Sequence, residues 1–465
     1  MLWKRLALTA VSLLCVVACS SSTGTAPFQA TEVQITGALV DTLSGLGGAE
    51  LLDVTPDGRT ALVVGAETIT AVNITGTSLT VGGTFTIPPA NLPVGATAAD
   101  LTGVAISPDG TFALVGVKDN TPANLAAFDE VPGKVIAISI PGLTVLGEVT
   151  VGRGPDSVAI APNGQFAAVA NEDEEDEETV PGARPGSISI IDLRNGPANM
   201  TEIEQVAFPP AGIPFFPADP QPETVTISPD SSTIFVTLQE NNAISRIRVN
   251  QLAPGGFTVT NFDAGQRTGR GRLVGSVGNP PCTASNGYAD AVVEPFTSSR
   301  EPDGIAFTPD GRWVVTGDED NVAAANGSGV GGIFGARSIS VFSVATGALL
   351  GDSGNTIEEA VVAARLPMRC NSKGPEPEVV DVGVIGGRLL AFTGLERSDA
   401  LTIHDITDPS NIKLVDLVVL DPTSVGADRR ANLEPEGVVF IPVTNQVLIS
   451  NTRSRSVSLV QISTQ

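Results

Sequence analysis

Histidine is almost missing from this chain: His404 is the only one in 465 residues. A zinc site built on a histidine pair is therefore excluded, and no Gly-x-Ser-x-Gly elbow accompanies His404 to suggest a nucleophilic triad. Cysteine is nearly as scarce, with Cys15, Cys19, Cys282 and Cys370 and no Cys-x-x-Cys spacing, so zinc ribbons and covalent haem attachment drop out as well. Aromatic residues make up 4% of the chain. Basic residues are outnumbered, 26 Lys and Arg against 51 Asp and Glu, for a net charge of −25. Such a chain has no basic stripe for a phosphate backbone or an anionic lipid surface, so no nucleic-acid partner is expected. Cations and cationic ligands are its natural electrostatic partners. No P-loop is present. "GSGVGG" at 327–332 matches a dinucleotide pattern only formally, with no helix to follow, and reads as a loop. Neither a nucleotide nor a haem cofactor is expected.

Long apolar runs are also lacking, except at the start. "MLWKR" is a basic n-region, Leu6 to Val17 is apolar, and "VVAC" ends at Cys19. The run is short for a membrane span and has the flanks of a signal peptide. "VVACSSS" resembles a bacterial lipobox, which implies cleavage before Cys19 and lipidation of its thiol; ordinary secretion is the alternative. Residues 1–18 are thus a lipoprotein signal peptide. Residues 19–30 are the lipidated cysteine and a Ser/Thr/Gly-rich tether, and residues 31–465 are the folded body. The expected location is the bacterial cell envelope, at its periplasmic face or surface, with the membrane engaged through the lipid. In an oxidising compartment Cys282 and Cys370 read as one structural disulfide, a two-thiol metal site being the other reading.

Fifty glycines and 34 prolines, with scattered Val/Ile/Thr runs, point to many short strands joined by tight turns. Seven related stretches appear: "ELLDVTPDGRTALVVGAE" (50–67), "TGVAISPDGTFALVGVKDN" (102–120), "DSVAIAPNGQFAAVANEDE" (156–174), "ETVTISPDSSTIFVTLQENN" (223–242), "DGIAFTPDGRWVVTGDEDN" (303–321), "EVVDVGVIGGRLLAFTGLER" (378–397) and "EGVVFIPVTNQVLISNTR" (436–453). In most, two apolar runs flank a turn in which proline sets φ and glycine takes positive φ. A period-2 strand follows, as in "SISIIDL" (187–193), and then a more polar one, as in "TVLGEVTV" (144–151). Seven four-stranded units predict an all-β, seven-bladed propeller. The last copy stops after its third strand, "SVSLVQI" (456–462). Its fourth is expected from "EVQITGAL" (32–39), which closes the ring and hides the edge.

In a blade the start of the first strand and the end of the second lie together at the central mouth. At the first position stand Glu50, Thr102, Asp156, Glu223, Asp303, Glu378 and Glu436, six of the seven being carboxylates. At the second stand Glu67, Lys118, Glu172, Glu240, Glu319, Glu396 and Thr452. Crowded like charges raise one another's pKa or require counter-charge. Arg153, Arg300, Arg397, Arg453 and Lys118 flank these positions and can form an ion-pair network. A divalent cation, Ca²⁺ above all, is the other solution, with Glu50, Asp156, Glu223, Asp303, Glu378 and Glu436 as ligands and Glu172, Glu240 and Glu319 behind them. Local turn capping by each carboxylate is a third. The run "NEDEEDEE" at 171–178 reads as a solvated loop or a cation-collecting flap. His404, in a third strand, is expected to be structural.

"VANEDEEDEE…PGSISIIDL", "TLQENNAISRI", "GLERSDALTIHDITDPS" and "EPEGVVFIP" resemble the choice-of-anchor I domain family, and the "SPDG" repeats are similar to YVTN and lactonase-like propellers. The chain departs from the family's Asn-Glu-Gly-Asp stretch with "GDEDN" at 317–321. The resemblance implies an extracellular propeller and no established catalytic set. Two functions stay open: a lipid-anchored binding or scaffolding module that holds a protein, peptide or small molecule at its mouth, and a Ca²⁺-dependent hydrolase of phosphoesters or lactones.

Overall fold

The second strand of each repeat is apolar without alternation, because both of its faces are covered. Ala61, Leu62, Val63 and Val64 are all fully buried. Leu62 and Val64 face one neighbouring sheet, while Ala61 and Val63 face the other. The computed structural model describes residues 34–121, 131–172, 184–274, 292–319, 336–368, 374–426 and 432–464. Within them the chain forms seven antiparallel sheets of the expected kind.

Blade one is Leu52–Val54, Thr60–Gly65, Thr68–Thr75 and Ser78–Thr86. Blade two is Val104–Ile106, Phe112–Asp119, Pro132–Ser139 and Val145–Arg153, with the short Ala99–Asp100 also paired to its second strand. Blade three runs Pro155–Ile160, Phe166–Asn171, Ser187–Asp192 and Thr201–Val206. Blade four runs Pro222–Ile227, Thr233–Leu238, Ala243–Val249 and Phe257–Asp263. Blade five is Pro302–Phe307, Trp313–Asp318, Ser338–Ser343 and Leu349–Asp352. Blade six is Pro377–Ile385, Arg388–Leu395, Ala400–Asp405 and Lys413–Val419. Blade seven is Pro435–Ile441, Gln446–Asn451 and Ser456–Thr464, completed by Ile35–Ser44 from the N-terminal side. Ring closure is therefore as expected, over a longer strand: Ile35 pairs with Thr464 and Ser44 with Ser456.

Apolar side chains gather in seven clusters, one at each junction between neighbouring blades. Backbone-to-side-chain bonds stitch the same junctions. Asp53 accepts from Ile106 N–H at 2.6 Å, Asp381 from Phe440 N–H at 2.7 Å, and Ser157 from Val225 N–H at 3.2 Å. Asp53 and Asp381 each also accept the N–H of the residue that follows. Burial nevertheless pushes both carboxyls up to about 6.

The turns far from the mouth carry their own acids. Thr55, Ser107, Ser228 and Thr308 hydroxyls donate to Asp57, Asp109, Asp230 and Asp310 at 2.6–2.7 Å. These hairpin turns are thus capped by carboxylates outside the mouth.

Two elements lie between blades outside the four-stranded sheets. After blade four's outer strand, Gln266–Val274 pairs antiparallel with Val292–Ser299 as a two-stranded insert. Between blades five and six comes an α-helix, Thr356–Ala364, the only one among the described residues. Its Ile357 and Val361 pack between blades five and six. Cys15, Cys19, Cys282, Cys370, the run 173–178 and the glycine loop 327–332 lie outside the described residues.

Ile35 is 3% exposed and seals the junction of blades six and seven. Ile35→Ala is expected to cost about 2–5 kcal/mol, as deep truncations of this type do, read as a lower denaturant midpoint. Deleting residues 34–44 should leave no soluble monomer in size-exclusion chromatography, because it bares the Ser456–Thr464 edge.

Candidate functional site

Five inner strands begin with a proline followed by an acid. Pro155, Pro222, Pro302, Pro377 and Pro435 pair with Asn171, Leu238, Asp318, Leu395 and Asn451, and the register then slips before pairing resumes. Proline has no N–H to lose at the end of a ladder, and such a slip re-aims the residue next to it. That residue is Asp156, Glu223, Asp303, Glu378 or Glu436, each half-buried.

The end of the second strand is held beside it. Glu172, Glu319, Glu396 and Thr452 donate their N–H to the carbonyls of Gly154, Glu301, Glu376 and Glu434, at 2.9, 3.2, 3.0 and 2.9 Å. The preceding residue is locked to the third strand. Asn171 donates to Ser189 Oγ at 2.9 Å, Ser338 and Ser340 donate to Asp318 at 2.7 and 2.5 Å, and Asn451 donates to Ser458 Oγ at 3.1 Å.

This register assigns blade four's position to Gln239, not Glu240, which stands one residue further on. Gln239 donates its amide N–H to Glu319 across the junction.

The result, among the described residues, is three triads whose carboxylate oxygens lie within 4.8 Å of one another: Asp156–Glu172–Glu223, Asp303–Glu319–Glu378 and Glu376–Glu378–Glu396. Close approach of the chains makes this possible. A Cβ on Gly304 or Gly317 would lie 2.5 or 2.3 Å from the Glu378 carbonyl. Glu436 is held differently, accepting from Thr452 Oγ1 at 2.6 Å.

On the side of blades one and two, Thr102 donates to the Pro155 carbonyl instead of supplying an acid. Asp100 takes up that role, and its negative charge acts on Glu50. Glu67 is exposed, accepts from Ala99 N–H at 3.3 Å and adds its charge to the load on Asp100. Below the acids a cavity of about 130 Å³ is lined by residues of all seven inner strands and their approaches, Leu51, Gly103, Ser157, Thr224, Val379 and Gly437 among them.

The electrostatics differ around the ring. Burial, then Asp100, Asp156 and Glu436, push Glu50 up to about 9 against the pull of Lys118. Glu223 is raised well above the usual range by burial and by Glu172, Asp156, Glu240 and Asp303. Glu378 is raised by burial and by Glu396, Glu319, Glu376 and Asp303. In the third triad a guanidinium intervenes. Arg397 pairs with Glu376 and Glu396 and lies 3.5 Å from Glu434, which Arg453 also meets at 2.9 Å. Burial and Glu376 still raise Glu396, with Arg397 pulling it down. Arg300, expected in the same network, pairs instead with Asp352 at 2.7 Å. His404 is fully buried in blade six, with Nε2 3.3 Å from Thr356 Oγ1; burial lowers it to about 3 and keeps it neutral.

Sequence reading missed Glu301, Glu376 and Glu434, which precede the prolines of blades five, six and seven. All three have positive φ, of 50, 58 and 56°, a conformation costing roughly 1–2 kcal/mol for a residue with a side chain. Clasps from the preceding blade hold two of them there. Asn242 Oδ1 accepts from the N–H groups of Arg300 and Glu301, both at 3.0 Å. Asp399 Oδ1 accepts from Leu433 and Glu434, at 2.7 and 3.3 Å. The internal signal was a repeated "Glu-Pro-acid" at 301–303, 376–378 and 434–436.

Arg397→Met leaves Glu376 and Glu396 buried without their counter-charge, at an expected cost of about 3–5 kcal/mol. Burial raises Glu396 to about 9, so its share of the cost should be absent at pH 5, where it is protonated, and appear as pH rises toward 9. Denaturant titrations at the two pH values check it.

Comparison with known proteins agrees with this geometry. No curated protein matches the chain. Among solved structures, Kuenenia stuttgartiensis hydrazine synthase is 19% identical with a TM-score of 0.52, covering 94% of this chain and 99% of that one. A chain of the mitotic checkpoint complex is 11% identical with a TM-score of 0.53, covering 97% and 98%. At such identities the likeness is one of fold. A WD domain, G-beta repeat profile matches residues 302–323, which include the inner hairpin of blade five. The choice-of-anchor I domain profile matches residues 50–257 and 330–409. With well over half of the chain matched on a seven-bladed ring, the protein belongs to the choice-of-anchor I domain family.

Proposed function

We propose that this protein is a binding module of the bacterial cell envelope, lipidated at Cys19 and tethered by residues 20–30, whose mouth captures a ligand through a bound divalent cation. The observation that carries this reading is the recurrence of a carboxylate at one position of the ring, drawn into triads of oxygens within 4.8 Å. Carboxylate oxygens at that spacing suit a hard cation, Ca²⁺ first, with water completing the shell. A protein, peptide or small molecule then binds at the mouth, against the cation and the surrounding loops. The Cys282–Cys370 disulfide belongs to the same proposal, as a staple between the hairpin insert and the approach to blade six. Hydrolysis of a phosphoester or lactone is the competing reading. Turnover of either substrate class by the Ca²⁺-loaded protein would decide for it.

Two measurements test the cation. Ca²⁺ at a hundredfold excess over its Kd should stabilise the fold by about 2.7 kcal/mol, visible in a melting curve against chelator. Asp303→Asn with Glu223→Gln should remove that shift and leave the circular dichroism unchanged. Equal melting temperatures with chelator and with Ca²⁺ would overturn the cation and leave the arginine and lysine network as the compensation.

The second measurement is pH. Glu50 at about 9, with Glu223 and Glu378 also raised, keeps protons in the folded state that the unfolded chain releases near pH 4.3. The contribution of these three groups to stability in chelator should therefore be fully present below that pH and be lost as pH rises toward 9. Ca²⁺ should flatten the decline, and its effect should be largest at the alkaline end.

A further inference from the structure

The pentapeptide Thr-Pro-Asp-Gly-Arg occurs twice, at 55–59 in blade one and at 308–312 in blade five. Both copies turn alike. Thr55 and Thr308 donate to Asp57 and Asp310 at 2.6 and 2.7 Å, and Gly58 and Gly311 take φ of 71 and 68°. The arginines part company. Arg312 Nε meets Asp310 Oδ2 at 2.5 Å, and its guanidinium lies 4.8 Å from the centre of the Trp313 ring. Arg59 has Thr60 in place of that tryptophan. Its side chain makes no hydrogen bond or close ion pair among the described residues, and only its charge is felt by Asp57. It stands instead on the wall of a cleft of about 570 Å³, on the face away from the mouth, where blade one meets blade seven. Pockets that take small ligands have roughly 300–1,000 Å³.

Blade seven supplies the opposite wall with Val443 and Gln446. Val443 is 60% exposed and holds the turn position at which blades one, two, four and five carry their capping aspartates. Gln446 is 2% exposed. Its amide N–H donates to the Gly76 carbonyl at 2.8 Å, and both residues line the cleft. Its amide oxygen has no hydrogen-bond partner. A buried carbonyl oxygen without a donor is destabilising, and a donor brought by a ligand satisfies it. A guanidinium fork suits a carboxylate, and an amide oxygen takes an N–H. Asp57 on the same wall disfavours a second negative charge on the ligand. One carboxylate, one neighbouring N–H and an apolar group are carried together by the last residue of a peptide.

We propose that this cleft between blades seven and one binds the C-terminal residue of a peptide, with its carboxylate on Arg59, its N–H on Gln446 Oε1 and an apolar side chain against Val443. The site goes beyond the cation-binding reading above and does not depend on it. It opens on the other face of the ring and uses none of the carboxylates at the mouth.

Ligand-observed NMR titration of the full chain with the dipeptide acid N-acetyl-Ala-Val tests it, in chelator so that no cation takes part. The acid should bind saturably, and its carboxamide at least ~10-fold more weakly, the loss of one charged hydrogen-bonded contact. Arg59→Gln should weaken binding of the acid by the same factor. Arg312→Gln, in the identical turn of blade five, should leave it unchanged. A dipeptide methylated on the valine nitrogen should bind the unmutated protein about 5-fold more weakly than its parent, and Gln446→Met should bind the two equally. No saturable binding of the acid by the unmutated protein overturns the proposal and leaves the cation reading standing. Unaltered binding in Arg59→Gln, or an equal loss in Arg312→Gln, overturns it too. Equal binding of the methylated and parent dipeptides by the unmutated protein removes Gln446 from the site even if Gln446→Met does not fold. Equal affinity for free valine overturns the choice of a peptide.

Discussion

Everything here depends on mutual burial of the blades. Each sheet presents apolar side chains on both faces, and seven clusters occupy the seven junctions. A blade with an uncovered face would expose most of a core, so the ring must close. Closure forces the seven inner strands to converge, and chemistry placed at their starts is gathered whether or not the residues attract. A carboxylate repeated at that position becomes a crowd of like charges without any further design.

The ring handles that crowd unevenly. Lys118 relieves Glu50, and Arg397 with Arg453 serves Glu376, Glu396 and Glu434. Glu223 stands among Asp156, Glu172 and Glu240. The backbone is prepared for this work in advance. Asn242 and Asp399 reach from one blade to the next and hold Glu301 and Glu434 in a conformation better suited to glycine. The strain is local, and the clasp that bears it is a single side chain in each case.

Much of the architecture could be read from the chain because turn chemistry punctuates it. The Pro-Asp-Gly turns, with positive φ at Gly58, Gly110 and Gly311, marked the hairpins, and the truncated last copy announced its N-terminal complement. The inner ring was legible through the acid at six of the seven strand starts. The outer ring was less so, because loop lengths differ after the second strand and only pairing reveals that Gln239, not Glu240, occupies the position. Asp100 was hidden because its strand is two residues long. The repeated Glu-Pro-acid marks the three glutamates but not their positive φ, which at Glu301 and Glu434 is held by a clasp from another blade, far away in sequence.

The closing strand also settles how the ring bears load. Ile35–Ser44 lies along the outer edge of blade seven, entering opposite Thr464 and leaving opposite Ser456. Gly37 N–H is held by Asp416 of blade six at 2.8 Å, and Asp41 accepts from Leu79 N–H of blade one at 2.7 Å. Tension applied ahead of Ile35 therefore runs along the strand and shears its whole ladder at once, instead of peeling bonds off singly. The same segment that seals the ring doubles as a mechanical fastening, braced on both flanks against being drawn out.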